Sequence, residues 1–320
     1  MTETESKKAV PSLTRDTFVG PWAGLPVAWT DRDEFDEQTY RADVAQCCEA
    51  GVPGVYSGGT TGEFYAMELD EFRAVARATV DECHRHGTPA MVGCSSTYTL
   101  GVLRRAAYAA EVGADAIQVA LPYWMELPEG EILAFFRDVA SVWPTSPLSV
   151  YETTRAKRVL TIDQHRAIKD AVPNYLMVKA NAGTVGCTTE GCETLSEFVN
   201  VFVGESLWSK LGPAGAKGSC SAMVYRAPSS ILRLWETMRE QDWTTLEVEC
   251  ERIAKLHTFL HETFGPKGLT DTAYDRMGGL AGRFLKTSLR SRGPYPACTQ
   301  EDVEAMRQWC SRHYPEIVGR

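Results

Sequence analysis

Long apolar runs are missing from this 320-residue chain, and so is an apolar segment near its start. A membrane-spanning helix needs roughly 18 or more consecutive apolar residues. A secretory signal peptide needs a shorter apolar run after a charged start, whereas residues 1–8 are polar. We therefore expect a cytoplasmic protein that has no membrane partner.

Clusters of basic residues are also missing. The chain has 33 Lys and Arg against 42 Asp and Glu, which gives a net charge of −9. A nucleic acid or an anionic membrane surface attracts proteins with basic patches, so neither is an expected partner. A small anionic substrate is still possible, because a pocket can hold local positive charge whatever the net charge is.

Metal-binding spacings are scarce as well. The ten cysteines form no pair of C-x-x-C motifs, so a structural zinc site is not expected. Reduced thiols fit a chain of this length without a secretory signal better than disulfides do. His257 and His261 are four residues apart, but no third ligand is near them and we assign them to a solvated helix face. Neither a metal nor a cofactor is predicted.

Short apolar runs alternate with segments of helical spacing, and eight of these runs are predicted strands. They are Leu25–Trp29, Gly54–Ser57, Pro89–Gly93, Ala116–Leu121, Leu148–Tyr151, Tyr175–Lys179, Val201–Gly204 and Ala216–Cys220. Eight strand–helix units in about 200 residues predict an α/β fold of the (β/α)₈ TIM-barrel type. A doubly wound sheet is the alternative, but it calls for fewer strands and for a glycine-rich first turn, which this chain lacks.

The pattern becomes purely helical after about residue 228. Helices are predicted over Ser229–Glu240, Trp243–Phe264, Ala273–Leu289 and Thr299–His313. The expected organisation is a flexible segment over residues 1–17, a barrel core over 18–228, and the last barrel helix with a C-terminal helical extension over 229–320. The additional helices are long enough to pack beside the barrel or to form a subunit interface.

Lys179 is at the carboxyl end of an apolar run that is typical of a strand buried on both faces. Loss of hydration at such a place disfavours the charged amine and lowers its pKa. A neutral amine can condense with a carbonyl group to form a Schiff base. The alternative for this strand alone is a lysine that extends into solvent or pairs with a carboxylate.

Two other strand ends carry candidate site residues. Gly58 to Glu63 form a glycine-rich turn with adjacent hydroxyls at Thr60 and Thr61, which could bind a small anion or simply cap the next helix. Tyr151 ends the fifth predicted strand and could transfer protons, or it could be a core tyrosine. In a TIM barrel all these strand ends meet at the face that carries the active site.

In their order along the chain, these motifs resemble the dihydrodipicolinate synthase / N-acetylneuraminate lyase superfamily over roughly residues 18–290. The resemblance implies a homo-oligomeric barrel, a tetramer or a dimer, that forms a Schiff base with pyruvate or another 2-oxo acid. It implies that Lys179 forms the imine, that Tyr151 is the acid/base and that Thr60 belongs to the proton relay. It further implies a carboxylate site and a far pocket wall formed by Gly59, Thr61, Gly62, Gly204, Ser219 and Cys220.

The chain departs from the synthases of this superfamily at four positions. Their arginine for the aldehyde carboxylate is replaced by Ala156, although Arg155 or Arg158 could take over. Trp124 replaces a relay tyrosine and is expected to shape the pocket entrance, and the glutamate that commonly follows the lysine is replaced by an alanine. Glu152 is added beside the tyrosine and either acts as an extra base or points outward to pair with an arginine.

The predicted function is a Schiff-base lyase, either an aldolase or a dehydratase, that acts on pyruvate or a 2-oxo (sugar-)acid. The altered loops argue against dihydrodipicolinate synthesis from pyruvate and aspartate semialdehyde, which is kept as the alternative. A non-catalytic oligomeric 2-oxo acid sensor is a third interpretation, but it would have no need for an imine-forming amine.

Overall fold

The computed structural model describes residues 9–319, and eight parallel strands close there into a barrel in sequential order. The strands are β1 (Gly20–Gly24), β2 (Val55–Ser57), β3 (Ala90–Gly93), β4 (Ala116–Val119), β5 (Leu148–Tyr151), β6 (Tyr175–Lys179), β7 (Asn200–Phe202) and β8 (Ala216–Ser221). The predicted (β/α)₈ barrel is confirmed. All eight strands end at one rim, so the side chains at their carboxyl ends share one mouth.

Helices follow each strand and form the outer layer. They are α1 (Glu37–Glu49), α2 (Leu69–His86), α3 (Thr99–Glu111), α4 (Glu129–Val142), α5 (Ile162–Ala171), α6 (Thr189–Ser196), α7 (Trp208–Leu211), α8 (Met223–Arg226) and α9 (Pro228–Arg239). The C-terminal extension consists of α10 (Trp243–Phe264), α11 (Asp271–Ala281) and α12 (Gln300–His313). None of the helices in residues 9–319 is long and apolar enough to cross a membrane.

The first strand lies earlier than predicted. The run Leu25–Trp29 is buried, but it adds only an isolated bridge between Trp29 and Phe35, and Gly20–Gly24 pairs with β2 and β8 instead. The reason is close packing against β8. A Cβ on Gly218 would come within 2.3 Å of the Gly20 carbonyl oxygen, so the pairing of the two strands requires glycine here. A strand that contains such glycines lacks the apolar pattern by which strands are predicted.

Helix α11 is shorter than predicted. The apolar spacing continues to Leu289, but the helix ends at Ala281 and Arg283 has a left-handed φ of 53°. The chain then runs along α1, where the Asp43 carboxylate accepts hydrogen bonds from the backbone N–H groups of Lys286 and Thr287. These tertiary hydrogen bonds replace the helical ones that the spacing suggested.

The interior of the barrel is filled by its own apolar cluster, separate from the core between strands and helices. Its fully packed members are Phe18, Trp22, Tyr56, Met91, Ala116, Met177 and Phe202. Just before β1, Arg15 donates hydrogen bonds to the carbonyls of Ser196 and Glu197. Residues 1–8 of the N-terminal segment, predicted to be flexible, lie outside the described part of the chain, and the predicted boundaries at residues 18 and 228 stay predictions.

Candidate active site

Lys179 and Tyr151 are directly opposite each other on neighbouring strands. The register of β5 and β6 pairs these two residues, which are the last of their strands. The Lys179 Nζ atom lies 4.1 Å from the centre of the Tyr151 ring. Backbone hydrogen bonds of the sheet therefore fix the distance between the amine and the phenol.

The glycine-rich turn after β2 brings a third group to this pair. The hydroxyls of Thr60 and Tyr151 are 2.9 Å apart and share a hydrogen bond. Gly58 permits the tight turn, because its φ is +71° and an added Cβ would lie 2.7 Å from the Gly93 carbonyl oxygen. At the end of the turn, the buried Glu63 carboxylate accepts from Trp29 Nε1 and Arg276 Nη2, and it thereby ties the turn to α11.

The protonation of the amine differs from the prediction. Burial disfavours the charged amine, but the attraction of the Tyr151 phenol outweighs it, so the pKa of Lys179 is raised rather than lowered. Burial also acts against ionisation of Tyr151, yet the Lys179 ammonium and the Thr60 hydrogen bond bring the pKa of this phenol below its usual value. Each group thus favours the charged form of the other.

A cavity of about 490 Å³ opens above this pair at the carboxyl ends of the strands. Seven of the predicted site residues line it, namely Lys179, Tyr151, Thr60, Thr61, Gly59, Gly62 and Cys220, and Arg155 lies at its edge as an eighth. Burial raises the pKa of the Cys220 thiol to about 11, so this side chain is a neutral part of the wall. The structure therefore brings together groups that the sequence placed at the ends of four separate strands.

Three predicted residues do not line the cavity. Ser219 points to the opposite side of β8 from Cys220 and donates to the Glu205 carboxylate over 3.1 Å, as the alternation of a strand requires. Gly204 begins the short turn after β7. Glu152 is buried outside the barrel mouth, where its carboxylate accepts from the Leu160 N–H, so neither a second base nor an outward ion pair is present.

Trp124 also lies away from the cavity of its own chain. Its side chain is 72% exposed, beside Met125 at 73%. The Lys157 ammonium lies 5.6 Å from its ring centre. Tyr98, which directly precedes α3, and Leu100, which lies in the first turn of α3, are half exposed. We call Tyr98, Leu100, Trp124 and Met125 the apolar rim; these large apolar side chains remain uncovered in the single chain.

Two aspartates of α11 reach the cavity, and the sequence analysis missed both. Asp271 accepts two hydrogen bonds from the Arg155 guanidinium, at 3.0 and 3.2 Å. Asp275 is buried, and it accepts from Thr61 Oγ1 at 2.6 Å and from Arg226 Nη2 at 2.8 Å. Their spacing of four residues puts both on one helix face, which was the available signal. It could not show that this face meets a turn more than 200 residues away in the chain.

A smaller chamber of about 220 Å³ adjoins the cavity beside Thr60 and Tyr151. Its walls are mainly aromatic and are formed by Phe64, Tyr65, Tyr123 and Tyr295. Within residues 9–319, no group of three or more His, Cys, Asp or Glu side chains that could hold a metal ion is found.

Comparisons with known proteins agree with this geometry. The profile of the Dihydrodipicolinate synthetase family matches residues 18–303. The chain belongs to this family. Among its relatives, a 4-hydroxy-tetrahydrodipicolinate synthase from Methanopyrus kandleri is 27% identical over 71% of this chain and 73% of its own length. A trans-O-hydroxybenzylidenepyruvate hydratase-aldolase from Pseudomonas aeruginosa is 26% identical over 45% of each chain.

The fold is shared with solved structures of the family. YagE, a prophage protein of this family from E. coli K12 that was solved in complex with pyruvate, superposes with a TM-score of 0.83. The two chains are 19% identical, and the superposition covers 92% of this chain and 98% of YagE. Family membership makes the protein a lyase of the Schiff-base class, since the family comprises synthases and aldolases of that type.

Proposed function

We propose that this protein is a 2-oxo acid aldolase or dehydratase in which Lys179 forms the imine and Tyr151 transfers the protons. The observation that carries the proposal is the close grouping of three side chains: the Lys179 amine lies 4.1 Å from the centre of the Tyr151 ring, and the Tyr151 hydroxyl shares a hydrogen bond with the Thr60 hydroxyl. An amine that forms an imine must lose a proton to become a nucleophile and must then exchange protons with the carbinolamine.

The closeness of the Lys179 amine to Tyr151 supports the first step. Tyr151 takes a proton from Lys179, and the neutral amine attacks the carbonyl carbon of the 2-oxo acid. Tyr151 then returns the proton to the carbinolamine hydroxyl, which leaves as water. In the cleavage step Tyr151, now deprotonated, takes the proton of the C4 hydroxyl, the C3–C4 bond breaks, and its electron pair moves into the protonated imine to give an enamine. In a dehydratase, Tyr151 instead takes a proton from C3 to give the enamine, whose electron pair then expels the C4 hydroxyl, and the proton from Tyr151 lets that hydroxyl leave as water.

Backbone N–H groups are the best donors for the substrate carboxylate. The turn around Thr60, Thr61 and Gly62 lines the cavity beside Lys179, and turns of this type present N–H groups to anions. The Thr61 hydroxyl is already committed to Asp275 as a donor, so it offers only a lone pair to the cavity. The carboxylate site in this proposal is therefore formed mostly by the main chain.

The state of the arginines favours this function over dihydrodipicolinate synthesis. Condensation with aspartate semialdehyde needs a cation for the aldehyde's carboxylate. Arg155 is bonded to Asp271, and Arg158 pairs with Glu126 away from the cavity lining. A neutral substrate tail fits this arrangement better than a tail that carries a carboxylate does.

We also propose that the protein is a homo-oligomer in which the apolar rim packs against a second copy. Tyr98, Trp124 and Met125, which are 51–73% exposed, line one surface groove, and exposed apolar groups of this kind mark protein–protein contacts. A second copy is the partner that this family implies.

Borohydride trapping tests the imine. Incubation with pyruvate and borohydride should add one reduced adduct to Lys179, identified by intact mass and peptide mapping. The Lys179→Ala variant should show no adduct, and Lys217→Ala, which removes an exposed lysine at the opposite end of β8, should be labelled like the wild type. An adduct on another lysine, or none with any 2-oxo acid, would contradict the proposal.

A further inference from the structure

The Arg155–Asp271 pair decides which charges the cavity offers to a substrate tail. Both terminal nitrogens of the guanidinium are used, because Nη1 donates to Asp271 Oδ2 and Nη2 donates to Oδ1. A bidentate fork of this kind is the same set of donors that a substrate carboxylate would need. A carboxylate-bearing tail would therefore have to displace Asp271 and stay beside its negative charge.

The charges of the lining leave no spare cation for a second carboxylate. Of the described residues around the cavity, the cations are Lys179 and Arg155 and the anions are Asp271 and Asp275. The first carboxylate of a 2-oxo acid adds one more negative charge. Arg226 is nearby, but it is buried behind Asp275 and bonded to it, so it is not available to the substrate.

The remaining polar side chains on this wall are neutral. They are Thr153, Thr154, Asn181 and Ser221, which all line the cavity. Hydroxyl and amide groups of this kind both donate and accept, which suits hydroxyl groups of a substrate. The wall thus has hydrogen-bonding capacity without net positive charge.

We propose that Asp271 is a specificity-determining residue, which occupies Arg155 and thereby selects 2-oxo acids with an uncharged tail over those with a second carboxylate. This inference rests on the imine function proposed above and adds the substrate class. It also assigns a role to a residue outside the strand-end motifs.

Trapping with 2-oxo acids of matched length tests the inference without a second substrate. The half-saturating concentration for borohydride adduct formation is measured with 2-oxoadipate, which carries a second carboxylate, and with 2-oxohexanoate, which does not. The wild type should favour 2-oxohexanoate. In Asp271→Asn the preference should shift toward 2-oxoadipate by roughly tenfold, equivalent to about 1.4 kcal/mol.

Two further variants identify the cause of the shift. Adding Arg155→Ala to Asp271→Asn should abolish the gain for 2-oxoadipate, because the released guanidinium is its source. Glu236→Gln removes the acid of an equally exposed ion pair, 60% and 55%, on α9 and should leave the preference unchanged.

The possible failures are distinguishable. If pyruvate labels Lys179 but Asp271→Asn does not change the preference between the two acids, this inference is wrong while the imine function stands. If the wild type already prefers 2-oxoadipate and Arg155→Ala removes that preference, Arg155 is the carboxylate anchor and Asp271 does not block it. Absence of any adduct on Lys179 would overturn both.

Discussion

Lys179 and Tyr151 each favour the charged form of the other, and burial opposes this effect. The raised pKa of the amine depends on the phenol, and the lowered pKa of the phenol depends on the amine. Removing the Tyr151 phenol should therefore affect both the reaction rate and the pKa of Lys179. This gives two tests at the level of single residues.

The first test concerns the rate. In Tyr151→Phe the proton carrier is lost while the ring remains, so kcat should fall by roughly 10²–10⁴-fold, the usual contribution of a positioned acid/base group. KM should change much less. Steady-state kinetics on a 2-oxo acid substrate measures both, and Tyr108→Phe, whose hydroxyl contacts the surface residue Arg77, is the control. A change confined to KM would assign Tyr151 to binding alone.

The second test concerns the pKa of the amine. Without the phenol, the attraction that raises the pKa of Lys179 is gone and the effect of burial dominates, so the pKa should fall. A lower pKa leaves a larger fraction of the Lys179 amine neutral at a given pH. The amine of the variant should therefore react faster with an acylating reagent than the wild-type amine does. The pH dependence of lysine modification by a small acylating reagent measures this value in wild type and Tyr151→Phe. An unchanged or higher pKa in the variant would contradict the pairing.

At the level of elements, α11 connects the C-terminal extension to the catalytic turn. The Arg276 guanidinium of this helix is fully buried and bonded to Glu63 and to the Val27 carbonyl. Removing the cation from a buried carboxylate strongly destabilises the folded state. The position of the turn that carries Thr60 therefore depends on this buried pair.

Arg276→Met should lower the free energy of unfolding by about 3–5 kcal/mol, because it leaves the Glu63 carboxylate buried without its partner. Chemical denaturation of the variant and wild type gives this difference. Arg239→Met, which breaks an exposed pair on α9, should cost no more than about 1 kcal/mol. Equal effects of the two substitutions would show that the buried pair has no special role.

The elements also show how far a sequence can predict such a site. The catalytic strand ends were predictable, since alternation fixes the barrel and every strand end meets at one rim. Asp271, Asp275 and the Arg276–Glu63 pair were not, because these contacts depend on how the extension packs back onto the barrel. Strand β1 was misplaced for a similar reason, since its glycines are explained only by contact with β8.

At the level of the whole molecule, the apolar rim is an uncovered surface that predicts self-association. Met125→Lys places a charge in this patch and should shift the protein to a smaller species in light scattering after gel filtration. Val248→Lys is the control, because Val248 is also exposed, at 58%, but it is on α10 outside the rim. Equal masses for wild type and Met125→Lys would exclude the rim as the interface.

The pairing of Tyr151 with Lys179 across β5 and β6 has a consequence for how such enzymes diversify. The sheet holds Lys179 and Tyr151 in place, whereas the residues that face the substrate tail come from α11 and from the turns after the strands. Mutations in those outer parts can change substrate preference without moving the amine relative to its acid. Mutant libraries restricted to α11 and to the turns after the strands should therefore yield many variants that still form the imine but accept new substrates.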